Sequence, residues 1–220
     1  LNCILLKEIT IPSSVKTIGD KAFHGCSSLI QINIPSSVIH LGCGAFSMCS
    51  SLQRIAIPSL ITSIYGVFSD CTSLIEIKLP SNLTSIGSKS FFNCTSLTEI
   101  EIPFSVNSIG DNAFGNCHSL RKISYISSKT QVTIPSPISS IGSHVFESCT
   151  SLVEVSILSS FFLINDRMFK NCSALTQITI PSSVKQIKSD AFFGCTALAQ
   201  VIIPSSVTYI GNNAFSLCTA

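Results

Sequence analysis

The sequence predicts a repeat solenoid in which one short unit is wound again and again, with parallel strands stacked along one face. Three observations carry that reading. Phenylalanine returns at Phe23, Phe46, Phe68, Phe91, Phe114, Phe146, Phe169, Phe192 and Phe215, a spacing of 23 residues with two departures. A Cys follows each of these by three positions, from Cys26 to Cys218. The unit then usually closes on a Leu, an alternating pair of aliphatic residues and a Pro, as in Leu29, Ile32, Ile34 and Pro35. A period of this length belongs to stacks whose units bury their apolar faces only against their neighbours. The composition agrees, with 45 % hydrophobic residues against 11 % charged.

The elements follow in order around the unit from Pro12 to Asn33. Pro12-Ser13-Ser14 reads as a turn, because Pro presets φ and Ser hydroxyls bond nearby backbone. Val15 and Ile18 point inward from a short extended piece. Gly19 follows, and Gly42, Gly87, Gly110, Gly142 and Gly211 share its slot, which predicts positive φ there. Asn165 fills the slot once, and Lys188 once as the misfit. A short helical turn on the convex side is then expected to carry Ala22 and Phe23 inward. It should end in left-handed geometry at Gly25 and at its equivalents Asp70, Asn93, Asn116, Asn171 and Gly194. Ile32 and Ile34 obey the strand period of two, so Asn33 between them faces out.

The unit resembles the BspA-like class of leucine-rich repeats, also called the Treponema pallidum type. It reads IPSSVKTIGDKAFHGCSSLIQIN from Ile11 to Asn33 and IPFSVNSIGDNAFGNCHSLRKIS from Ile102 to Ser124. The resemblance covers essentially the whole chain. It implies a right-handed leucine-rich-repeat superhelix with its parallel strands on the concave face. It also implies a non-catalytic protein-binding module, adhesin-like, at the cell surface or secreted, taking host or matrix proteins or another surface protein as partner. The alternative is a cytoplasmic scaffold or regulatory subunit using the same face. Residues 1–220 read as one domain of about nine repeats. Both ends fall at nearly the same phase of the repeat, so the expectation is a segment of a longer protein whose uncapped ends self-associate.

Ten of the 11 Cys occupy one ladder position. Stacked Cβ atoms about 4.8 Å apart lie beyond the about 3.5–4.5 Å of a good disulfide, so reduced, buried structural thiols are expected. Cys43 lies off the ladder and should be partly exposed. No Cys-x-x-Cys pair occurs and the four His share no phase, so neither a metal nor a cofactor site is expected. A net charge of +2 is too balanced for nucleic-acid or membrane-surface binding by charge. No apolar run approaches the length of a membrane span. Three glycosylation sequons begin at Asn82, Asn93 and Asn171, and the last two coincide with the tight position before a Cys.

The candidate binding residues lie on the outward positions beside the strand aliphatics, where Arg54, Glu76, Lys78, Glu99, Glu101 and Lys122 carry most of the charge. Two readings stay open. Arg54–Glu76–Lys78–Glu99 could neutralise itself across neighbouring strands, or the group could form a patterned docking patch. Glu99 and Glu101 would lie about 7 Å apart on an open, hydrated face, a poor place for acid–base catalysis. Two departures from the repeat add candidates. An inserted loop near 126–134 carries Lys129 and Gln131, with Tyr125 at its base, and such insertions sometimes form a binding face. The unit around Phe68 is one residue short between Ile64 and Val67, and is expected only to tighten a turn. Phe92 and Phe193 fall off the ladder and should pack along the rims of neighbouring coils.

Overall fold

The computed structural model describes residues 3–126, 140–155, 157 and 162–220. The chain winds as a parallel β-solenoid. In chain order its strands are β1 (Thr17–Ile18), β2 (His40–Leu41), β3 (Arg54–Ala56), β4 (Ser63–Ile64), β5 (Glu76–Lys78), β6 (Ser85–Ile86), β7 (Glu99–Pro103) and β8 (Ser108–Ile109). They continue as β9 (Lys122–Ile126), β10 (Ser140–Ile141), β11 (Glu154–Val155), β12 (Leu163–Ile164), β13 (Gln177–Thr179), β14 (Gln186–Ile187), β15 (Gln200–Ile202) and β16 (Tyr209–Ile210). The odd members from β3 to β15, except β1, make the concave face with β9 and β11 among them, and the remaining two-residue strands make an outer flank. On the concave face β3 pairs with β5, and β7, β9, β11, β13 and β15 form one five-stranded parallel sheet. On the outer flank β1 pairs with β2, β4 through β10 form a second sheet, and β12, β14 and β16 a third.

The core is the set of ladders that the spacing predicts. The phenylalanine rings stack from Phe23 to Phe215, with centroids 5.2–5.9 Å apart and planes within 3–18°. Leu29, Leu52, Leu74, Leu97, Leu120, Leu152, Leu175 and Leu198 form a second buried column. The thiols form a third, and from Cys49 to Cys218 each is a donor as well as a filler. Cys71 Sγ donates to Phe46 O at 3.1 Å, Cys94 Sγ to Phe68 O at 3.2 Å, and Cys195 Sγ to Phe169 O at 3.1 Å. The same carbonyls accept the N–H of the Cys in their own coil, as Phe68 O does from Cys71 at 3.2 Å. Both lone pairs are thus used in a dry interior, where an unmade bond would be costly. Cys43 is exposed, as expected.

Two expectations are overturned. The convex segment is a chain of turns rather than a helical turn, and no helix occurs among the described residues. Ala22, His24 and Cys26 donate back to Gly19, Lys21 and Phe23, whereas Lys21, Phe23 and Gly25 donate forward to Cys43, Ala45 and Ser47 of the next coil. A helix would consume all these N–H groups internally. Left-handed residues at two positions per coil, such as Lys21 (φ 53°) and Gly25 (φ 70°), free every second one for the neighbour. The position before the Cys is left-handed as expected, at Asp70, Asn93, Asn116, Asn171 and Gly194.

The second correction concerns the glycine slot. None of Gly42, Gly87, Gly110, Gly142 and Gly211 has positive φ. They are glycines because the coils touch there. A Cβ on Gly42 would lie 2.2 Å from Asp20 N, and one on Gly110 2.4 Å from Ser88 N. This closeness lets Gly42 N–H reach Ile18 O at 2.7 Å and Gly110 N–H reach Ile86 O at 2.8 Å. Gly19 meets nothing within 4 Å. Where Asn165 takes the slot, β10 and β12 are unpaired, and its side-chain amide donates to Ile141 O at 2.5 Å in place of the backbone. Lys188 keeps the backbone bond to Ile164 O at 2.8 Å, and nothing in the structure explains why Lys is accommodated there.

The short coil around Phe68 also does more than tighten a turn. β2 and β4 are unpaired before it on the outer flank, and β5 and β7 are unpaired after it on the concave face. One residue fewer separates Ile64 from Glu76 than separates Ile86 from Glu99. The convex bonds of this coil are kept nonetheless, with Phe46 N–H on Val67 O and Phe68 N–H on Ser90 O, both at 3.0 Å.

Gly110→Ala should therefore destabilise the fold by about 1–3 kcal/mol, the usual range for overpacking. Gly19→Ala, with open space and no positive φ, should be neutral or stabilising by up to about 1 kcal/mol. Urea midpoints of the two variants test this, and equal effects would refute the contact account. A second expectation follows from the thiols. Burial pushes Cys49, Cys117 and Cys195 up to about 12, from an ordinary 9.0. Below pH 9 the thiols are protonated in both folded and unfolded chains. Above it the unfolded chain ionises first, so stability falls from about pH 9 toward 12, by about 1.4 kcal/mol per pH unit per fully titrating thiol. Urea melts between pH 8 and 11 should show this decline, and Cys117→Ala should make it shallower. An identical slope in the variant would count against the thiols as its cause.

Candidate functional site

The concave face carries the charged row, and its geometry follows from strand alternation. In β3 and β7 the aliphatics Ile55, Ile100 and Ile102 are buried, while Arg54, Ala56, Glu99 and Glu101 face solvent. Parallel registers bring Arg54 beside Glu76, Ala56 beside Lys78, Glu99 beside Lys122, and Lys122 beside Glu154. Tyr125 lies inside β9, opposite Ile102, so the strand runs further than the alternation suggests. The inserted loop, with Lys129 and Gln131, falls outside the described residues.

Only part of the row neutralises itself. Arg54 Nε and Glu76 Oε2 lie 3.3 Å apart, and both side chains are well exposed. Lys78, Glu99 and Glu101 make no ion pair among the described residues. The self-satisfying ladder thus stops where the sheet opens between β5 and β7. N-terminal to the opening, Glu8, Thr10, Gln31, Asn33, Arg54 and Glu76 border a shallow hollow of about 550 Å³. At the opening itself, Ile75, Ile77, Leu79 and Thr98 line a cleft of about 660 Å³. Sequence reasoning missed this cleft, although the one-residue deletion upstream was its visible trace.

The remaining candidates are placed as follows. Phe92 and Phe193 are half-buried on the convex side, where Lys89 Nζ lies 5.7 Å and Lys170 Nζ 4.9 Å from their respective ring centroids. Lys170 and Arg167 both reach Asp190 Oδ2 at 3.3 Å. Asn93 donates its side-chain amide to Asp70 Oδ1 at 2.9 Å, whereas Asn82 is exposed in the turn that Leu83 N–H closes on Pro80 O. Among the described residues, no group of three or more His, Cys, Asp and Glu is arranged to hold a metal, and no helix is long and apolar enough to cross a membrane.

Comparison with known proteins agrees with this architecture. A leucine rich cell surface protein from Faecalibacterium prausnitzii is 33% identical over 100% of this chain and 72% of its own length, with a TM-score of 0.57. The leucine-rich repeat protein of T. pallidum is 25% identical, with a TM-score of 0.55 over 96% of this chain and 76% of its own. A leucine-rich repeat protein from Eubacterium ventriosum, at 23% identity, shares the fold with a TM-score of 0.71 over 97% of this chain and 65% of that one. No curated protein matches the chain. The BspA type leucine rich repeat region matches residues 1–121 and 122–220, in six copies. With those repeats spanning the whole described solenoid, the chain belongs to the BspA-type leucine-rich-repeat family.

Proposed function

We propose that this chain is a protein-recognition segment of a cell-surface or secreted protein, adhesin-like, binding host or matrix proteins through its concave face. The observation that carries this reading is the unneutralised charge at the centre of that face. Lys78, Glu99 and Glu101 stand exposed and, among the described residues, without an ion-pair partner beside the Arg54–Glu76 pair. Charges placed this way set partner choice and encounter rate more than affinity. Lys122 belongs to the same row, and Tyr125, Lys129 and Gln131, at and within the insertion, are proposed as further contact residues. The surface location is supported by the Faecalibacterium protein, which is described as a cell surface protein. The whole of residues 1–220 is taken as one repeat domain within that surface protein.

Location is tested by protease shaving of intact source cells, followed by detection of peptides from this chain. Release from intact cells is the expected result. Protection until lysis would overturn the surface reading in favour of an intracellular scaffold. Binding is tested with purified extracellular-matrix proteins immobilised as a panel. Arg54→Glu and Lys122→Glu should each shift capture by about tenfold if the face docks a protein, upward for a basic partner surface and downward for an acidic one. Arg54→Ala should meanwhile change stability by less than about 0.5 kcal/mol, since an exposed ion pair contributes little. A stability loss matching the binding loss would mean that the substitution had damaged the fold and not a docking surface.

A further inference from the structure

The cleft between β5 and β7 differs from the coils on either side of it. There the strand aliphatics are covered, as at Ile55, Ile57, Ile100 and Ile102. In β5 and just beyond it, Ile77 and Leu79 are only partly buried, and Ile75 is 39% exposed, as its equivalents Ile30 and Val153 also are. The facing edges of β5 and β7 are not joined by backbone hydrogen bonds, so their N–H and C=O groups stay available to a ligand. The rim is charged and predominantly acidic. Glu76 is shared with Arg54, Lys78 is the one cation on the rim, and Glu99 and Glu101 have no ion-pair partner among the described residues.

These features select an occupant. The two strands still approach within 8 Å Cα to Cα, whereas inserting a whole strand between them would need about twice the 4.8 Å strand spacing. A side chain fits; a strand does not. The floor is aliphatic, so the entering side chain is apolar. A neutral or acidic ligand would strip water from Glu99 and Glu101 without compensation, and a cationic one would pair them.

We infer that the β5–β7 cleft receives one apolar side chain of an extended polypeptide crossing the concave face, with a flanking Lys or Arg of that polypeptide paired to Glu99 and Glu101. This rests on the concave face being the docking surface proposed above, and it specifies the partner's chemistry: an aliphatic or aromatic residue beside a basic one. The cleft lies where the short coil around Phe68 meets the next one.

A phage-displayed library of random 12-residue peptides, panned on the whole chain, tests this. Enriched peptides should carry Leu, Ile, Phe or Met within two positions of Lys or Arg. A synthetic copy of an enriched peptide should lose about tenfold or more in affinity in the Glu99→Lys, Glu101→Lys double variant. It should lose as much in Thr98→Trp, which fills the cleft from an exposed position. Gln177→Trp, an equally bulky change further along the same face, should leave binding unchanged, and thermal melts should show all variants folded. No enrichment, enriched peptides without a basic residue, or binding indifferent to Thr98→Trp would each overturn the cleft. If Arg54→Glu or Lys122→Glu shifts the peptide's affinity while Thr98→Trp does not, the cleft is wrong and the concave reading stands. If no concave substitution matters, both fall.

Discussion

Successive coils lie little more than one strand spacing apart, and most of the molecule is an answer to that closeness. The phenylalanine rings, 5.2–5.9 Å apart, mark the repeat distance through the core. At that separation any side chain in the slot of Gly42 or Gly110 would enter the backbone of the coil before it. The same distance suits Cys, which is small enough to stack on itself and still donates to a carbonyl one coil back. It also requires the convex turn to give its N–H groups to the next coil, which is why that turn cannot close into a helix.

Much of this was legible in the residues. The inward ladders, the parallel strands and the concave row follow from spacing alone. The left-handed position before each Cys was legible because Gly25, Asp70, Asn93 and Asn116 are residue types that favour it. The second left-handed position was masked, since Lys21, Lys89 and Arg167 carry no such signal and dilute that of Gly44, Gly66, Asn112 and Asn213, so the segment reads as helical. The slot glycines misled for a different reason. Positive φ and a close approach both select Gly, and only the geometry separates them.

The candidate site divides in the same way. Which side chains share the concave face was clear from alternation, and the registers of Arg54 with Glu76 and of Glu99 with Lys122 agree. Which charges neutralise one another was not clear, because it depends on where the concave sheet opens, and the alternation around Glu76 and Glu99 is the same as in coils that pair.

The short coil around Phe68 has a mechanical consequence. Toward the preceding coil it is joined on the concave side by β3 and β5 but open on the outer flank; toward the following coil it is joined on the outer flank by β4 and β6 but open on the concave side. On the convex side both seams stay bonded, by Phe46 N–H on Val67 O and by Phe68 N–H on Ser90 O, and the rings of Phe46, Phe68 and Phe91 stack across them. Each seam thus lacks one of its strand ladders, on opposite faces, and bending at this coil costs fewer backbone bonds than at a coil paired on both.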